Sequence, residues 1–267
     1  MESKNRMRAA WEAGDFGEIA RLQEAHGEEF VARLGLKPGM RVLDVGCGTG
    51  NQTIPAARTG ARVTGLDLAA NLLAQGQDRA RNEELDILWI QGDAEQLPLG
   101  PGKYDVVLSM FGAMAAPRPE RVAAELLRVC QSDGLVAMGN WTPEGFFGEM
   151  EEIRNRHVPP PTGVPSPLLW GDDRVVRERL GGESTVETTK REAVLDYPFG
   201  PRDVVEFFRK YHGPSLFMFA QLDAVRASAL EADLTRIWTK WNQGDDAHTV
   251  VHADYLEVHV RRRNRTH

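Results

Sequence analysis

Val42-Leu43-Asp44-Val45-Gly46-Cys47-Gly48-Thr49-Gly50-Asn51 runs from an apolar strand straight into glycine at every second position. A strand apolar on both faces belongs in the middle of a parallel sheet. The glycines behind it let the chain turn through φ > 0 and bring bare backbone against a ligand, because no Cβ stands in the way. Residues 53–59 then read as a helix whose first N–H groups face that ligand. Carboxylates follow at the ends of the next two strands, Asp67 and Asp93. The spacing separates two ligand classes. A dinucleotide turn is Gly-x-Gly-x-x-Gly. Here the third glycine comes one residue early, at Gly50, Asn51 holds the place that pattern needs, and an acid, Asp44, precedes the first glycine by two.

Working outward, the apolar pattern predicts strands at 41–45, 62–66, 87–91, 104–109 and 135–140, with helices at 70–81 and 118–129 between them. Strands and helices alternating at these intervals imply a parallel sheet with right-handed crossovers. Ahead of them, residues 11–36 carry apolar groups at helical spacing, interrupted at Gly14 and Gly27. After residue 141 the rhythm changes. Thr142-Pro143-Glu144 is a helix start, with an end expected near Asn155. A proline-rich loop, 157–167, comes next. A short helix (172–180), a strand (185–195), a helix opened by Pro201 and ending around Tyr211, a long helix (222–241) and a last strand (255–262) complete the chain.

Length and composition narrow the function. At 267 residues the chain can bury a full α/β core as one domain. A net charge of −7 argues against a nucleic-acid partner, whose phosphates need lysine and arginine. The run Arg261-Arg262-Arg263 reads as a solvated chain end. Cys47 and Cys130 are too few for a disulfide framework or a three-cysteine iron–sulfur site, so radical chemistry is excluded. No histidine, cysteine or acid cluster has metal-ligand spacing. No apolar run reaches spanning length, and a cytoplasmic location is expected.

Gly-x-Gly-x-Gly with its preceding acid, followed in register by Asp67, Asp93 and the segment from Ser109, resembles the class I S-adenosylmethionine-dependent methyltransferases. Within them the chain is similar to the type 11 and ubiquinone/menaquinone-biosynthesis-like small-molecule enzymes. The resemblance is specific over residues 42–141. It implies a Rossmann-like, doubly wound, mostly parallel seven-stranded sheet with the last strand antiparallel, a helical N-terminal segment (1–40), a cofactor-binding core (41–141), a cap inserted after strand five (142–214) and a final helix and strand (215–267). It also implies roles. Gly46, Gly48 and Gly50 line the methionine and ribose portions of the cofactor, and Asp44 anchors its ammonium group or caps the turn. Asp67 accepts the ribose hydroxyls, with a helix N-cap as the bland alternative. Leu68 packs on the adenine or in the core. Asp93 and the N–H of Ala94 read the adenine, with Glu95 a weaker candidate for that acid. Ser109 closes the cofactor side, and Phe111, Met114 and Trp141 wall the acceptor side or simply pack.

The implied reaction is direct in-line displacement onto a small-molecule acceptor, to which the protein contributes positioning and a dry site. The segment 142–214 is rich in aromatic residues and is expected to fold over the transfer site, bringing Tyr211 and His212 to the acceptor as the catalytic candidates. His157 is a lesser candidate base, and Trp11, Asp15 and Phe16 are candidates to close over the cofactor. Two other functions fit parts of the pattern: a nucleotide-dependent oxidoreductase, disfavoured by the glycine spacing, and a cofactor-binding module without turnover.

Overall fold

The structure, a computed structural model, describes residues 2–182 and 184–262. Three helices open the chain, α1 (Glu2–Glu12), α2 (Phe16–Arg21) and α3 (Glu24–Arg33). Strands and helices then alternate as β1 (Arg41–Val45), α4 (Thr53–Arg58), β2 (Arg62–Asp67), α5 (Ala70–Asn82), β3 (Ile87–Gln91), β4 (Tyr104–Met110), α6 (Pro119–Val129) and β5 (Cys130–Trp141). The remainder is α7 (Gly145–His157), a 3₁₀ turn (Pro167–Gly171), α8 (Asp173–Leu180), β6 (Ser184–Tyr197), α9 (Pro201–Tyr211), α10 (Gly213–Phe219), α11 (Ala224–Trp241) and β7 (Thr249–Arg262).

The seven strands form one sheet in the order β3-β2-β1-β4-β5-β7-β6. β1 pairs in parallel with both β2 and β4, β2 with β3, and β4 with β5, whereas β7 runs antiparallel to β5. The chain leaves β1 toward β2 and comes back to its other side at β4, so the strand order reverses beside the glycine turn. Open α/β sheets bind ligands at such a reversal, outside the carboxyl ends of the strands. β1 lies between two strands and buries four of its five residues, which is why its sequence is apolar on both faces.

The described residues fall into two compact units. One comprises Glu24–Thr142, Pro165–Arg191 and the chain from Tyr255 onward, and it holds the parallel sheet and the glycine turn. The other comprises the chain up to Gln23, Pro143–Val164 and Glu192–Asp254. Its core is aromatic: Phe146 and Tyr197 pack on Trp238 at 4.6 and 5.6 Å between ring centres. Within the segment read from sequence as a cap, residues 165–191 belong to the sheet's unit, and the flanking stretches group with α1 and α2.

Several element ends differ from the sequence pattern for local reasons. β5 begins at Cys130 rather than at 135, since Gln131, Ser132 and Asp133 hide the strand's start. The register also shifts there, and Asp133 sits at φ +62°. β7 starts at Thr249, ahead of the expected 255. α10 opens with Gly213-Pro214, which reads as a break. Proline is tolerated in a helix's first turn, where its missing N–H has no partner to lose.

Candidate active site

Backbone hydrogen bonds tie the glycine turn to β2. The N–H groups of Gly46 and Cys47 both donate to the Leu66 carbonyl, at 2.7 and 3.0 Å. Gly46, Gly48 and Gly50 all have positive φ (+72°, +53° and +91°). Their surroundings differ. A Cβ on Gly46 would meet the Gly112 backbone at 2.9 Å, and one on Gly50 would meet the Trp89 ring at 2.9 Å. At Gly48 a Cβ would meet nothing within 4 Å, so this is where the turn shows bare backbone to open space. Arg79 of α5 clamps the turn from behind, donating to the Thr49 carbonyl at 3.0 Å and to Asn51 Oδ1 at 2.7 Å. Neither Arg79 nor Trp89 carries a signal in the sequence, because both act across elements.

Asp44 is fully buried on β1. Its Oδ2 accepts the Thr53 hydroxyl at 2.6 Å, and its Oδ1 has no protein partner. Burial pushes this carboxyl up to about 7, the Thr53 hydroxyl opposing and the charge of Asp67 adding to the rise. A buried acceptor oxygen without a donor is costly. A cationic ligand group would supply what it lacks. Asp67 ends β2 half-buried, with Oδ2 accepting from the Gly48 N–H and Oδ1 from the Ala69 N–H, each at 2.8 Å. It therefore fixes Ala69, the residue that precedes α5, without capping the helix itself, and is aimed at the turn at once. Burial raises its pKa, and the N–H groups of Ala69, Gly48 and Leu68 pull it back. One bond to each oxygen leaves lone pairs for a diol.

At the end of β3, Asp93 Oδ1 accepts from the Glu95 N–H at 2.9 Å, and both Asp93 and Ala94 are half-buried. Glu95 has a different task. Its buried carboxylate accepts the Arg118 N–H at 2.8 Å and Nε at 2.7 Å, fixing the loop to the first turn of α6. Leu68 is half-buried, and its carbonyl accepts Gln91 Nε2 at 3.1 Å.

After β4, the Ser109 hydroxyl donates to the Val45 carbonyl at 2.6 Å and accepts the Ala113 N–H at 3.0 Å, locking β4 to β1 at their ligand-facing ends. Phe111 has φ +60°, a rare backbone conformation for a bulky residue and one that concentrates at functional sites. Its ring lies flat on Trp141, 3.7 Å between centres and 2° between planes, while Met114 is buried. Tyr255 of β7, which the sequence reading passed over, meets Phe111 edge-on at 5.6 Å. Arg33 of α3 holds the Tyr255 hydroxyl at 2.8 Å and pairs with buried Glu257.

The two catalytic candidates lie in the other unit. Tyr211, half-buried, packs against Phe207 at 5.0 Å under the Lys210 ammonium. His212 sits among Trp11, Phe16 and Phe208, and its Nδ1 shares a 2.8 Å hydrogen bond with Ser215 Oγ. Burial, then the charge of Arg154, pushes this imidazole down to about 3, so it is neutral at physiological pH and a weak proton acceptor. Trp11 and Phe16 are thus partners of His212 within one unit. His157 pairs with Asp233 of α11 at 2.8 Å.

A methyltransferase-domain family model matches residues 43–138, the stretch from β1 to β5 that carries the turn, Asp44, Asp67 and Asp93. An uncharacterized protein of Mycobacterium tuberculosis is 37% identical over 235 residues, 86% of each chain. The chain belongs to the S-adenosylmethionine-dependent methyltransferases. A malonyl-[acyl-carrier protein] O-methyltransferase of Pectobacterium atrosepticum is 31% identical to this methyltransferase over 144 residues, 54% of this chain and 55% of that one. The fold is shared with phosphoethanolamine N-methyltransferase 2 of Haemonchus contortus, solved with S-adenosylmethionine. The TM-score is 0.55 at 18% identity, over 90% of this chain and 53% of that one. The methyltransferase binds S-adenosylmethionine, and its residues fit that ligand: an unpartnered buried carboxylate oxygen for a cation, a half-satisfied carboxylate for a diol, and open backbone at Gly48.

Proposed function

We propose that this methyltransferase acts on a small-molecule acceptor by direct in-line displacement. The observation that carries the reading is the partnerless Oδ1 of Asp44, buried at the head of an open glycine turn. When bound, S-adenosylmethionine supplies a methyl carbon on a positively charged sulfur, already open to attack. Asp44 holds the ammonium group, Asp67 the ribose hydroxyls, and Asp93 with the Ala94 N–H the adenine, against which Leu68 packs. Gly46 and Gly50 shape the turn so that Gly48 meets the ligand, and Ser109 keeps the β1 and β4 ends together. Phe111, Trp141 and Met114 form an apolar wall that excludes water from the transferring carbon, where charge disperses in the transition state. Tyr211 and neutral His212 are assigned to the acceptor. An unprotonated amine needs no base.

The reading includes a cytoplasmic location and no nucleic-acid partner. A net charge of −7 and two free, buried thiols suit both. Among the described residues no helix is long and apolar enough to cross a membrane. The experiment is an acceptor panel of amines, phenols, carboxylic acids and thiols, read by release of S-adenosylhomocysteine. Turnover with one class names the attacking atom. Binding of NAD with no response to either sulfur ligand would sink the reading.

A further inference from the structure

Arg154 of α7 is half-buried in the second unit, and nothing in the methyl-transfer reading uses it. It lines a small cavity with Met150, Phe208, Phe219, Leu234 and Trp238, apolar groups that keep water away, and with Ser215. Its Nε is shut off from solvent and has no hydrogen-bond partner, and among the described residues its guanidinium forms no ion pair within 4 Å. The charges around it do not neutralise it. Glu151, one helical turn earlier, attracts it, and His212 is neutral. Arg209, which lines the same cavity, is engaged with Glu231 at 3.0 Å and lies over the Phe219 ring at 4.7 Å. Burial brings the Arg154 guanidinium down to about 10, still charged at neutral pH.

We propose that Arg154 and Ser215 form an anion-binding site in the second unit that takes the carboxylate or phosphoryl head of a small organic anion. A guanidinium with a buried, unused N–H is an incomplete arrangement that an oxyanion completes with charge-assisted bonds. The Ser215 hydroxyl, held by His212, supplies a neutral polar contact beside it. The cavity measures about 10 Å³, room for one water-sized group. It admits an anionic oxygen, and the body of the ligand stays at the mouth against the apolar lining.

The test uses the full chain, titrated calorimetrically with benzoate, phenyl phosphate and neutral benzamide, and separately with S-adenosylhomocysteine. Benzoate or phenyl phosphate binds and benzamide does not, and the tighter of the two identifies the head group. Arg154→Met weakens anion binding at least tenfold, Arg154→Lys weakens it less, and Ser215→Ala weakens it several-fold, all with unchanged affinity for S-adenosylhomocysteine. Without an anion, Arg154→Met melts no lower than the parent, because it removes a half-buried charge whose Nε has no partner. Failure of both anions to bind, equal anion binding by Arg154→Met, or a lower melting temperature for that variant would overturn the proposal and leave Arg154 a structural residue. The S-adenosylhomocysteine titration tests the methyltransferase reading independently.

Discussion

Replacing Asp44 by asparagine separates the folding cost of the cofactor site from its use. In the folded protein the Asp44 carboxyl rises from 3.8 to about 7, chiefly by burial. The native state therefore holds an extra proton from about pH 4 to pH 7. The stability this gives is fully present below the unfolded value and is lost as pH rises through 7. Roughly three units at 1.36 kcal/mol each put the loss at up to ~4 kcal/mol above pH 7, an upper bound for a site open at Gly48. Asparagine keeps an acceptor for the Thr53 hydroxyl and never ionises. Asp44→Asn should match the parent near pH 4, exceed it progressively to pH 7 and hold the gain at pH 8, as read by denaturant unfolding. Cofactor affinity should move the other way, because a hydrogen bond to a charged group is worth ~1.5–3 kcal/mol, about ten- to a hundredfold. Calorimetry with S-adenosylhomocysteine should also show the parent binding more tightly from pH 6 to 8, with Asp44→Asn flat over that range. A variant no more stable than the parent at pH 8, with unchanged cofactor affinity, would refute both the buried-charge argument and the ammonium contact.

Asp67→Ala should weaken S-adenosylhomocysteine binding about ten- to a hundredfold while the protein stays folded, and Asp93→Ala should weaken it less because the Ala94 N–H remains. Unchanged affinity in folded Asp67→Ala would restrict that residue to holding Gly48 and Ala69. Phe111→Gly trades ~1–3 kcal/mol of backbone strain against a lost stack of ~0.5–1.5 kcal/mol. Its unfolding midpoint should change little and its turnover should fall, and a large stability loss would show that the strain is not there. Glu95→Ala should lower the thermal unfolding midpoint by removing the acceptor of the Arg118 N–H and leaving a small cavity, and a neutral outcome would deny Glu95 its hold on α6. Tyr211→Ala or His212→Ala should lower turnover with little change in cofactor affinity, and turnover indifferent to both would take them out of the reaction.

The strand-turn-helix of residues 41–58 was legible because its signals are local. An apolar run buried on both sides and glycines at fixed spacing act over a few residues, and the family's acids lie where strands end. The same locality explains the misses. Gln131 to Asp133 carry polar side chains in a strand held by its neighbour β4, and α10 has in its first turn a proline that only looks like a break.

The sequence by itself determined the fold class, the family and the acids proposed to hold the cofactor. These follow from periodicity and from residue types whose chemistry does not depend on distant partners. Tertiary structure alone decided which glycine faces the ligand, since Gly46 and Gly50 are required by Gly112 and Trp89, residues far along the chain. It alone decided that Glu95 is engaged with Arg118, that His212 is half-buried among rings and neutral, and that the Arg154 Nε is shut off from solvent without a partner. Each is a matter of what desolvates a charge or pairs with it, and that depends on groups brought together only when the chain folds.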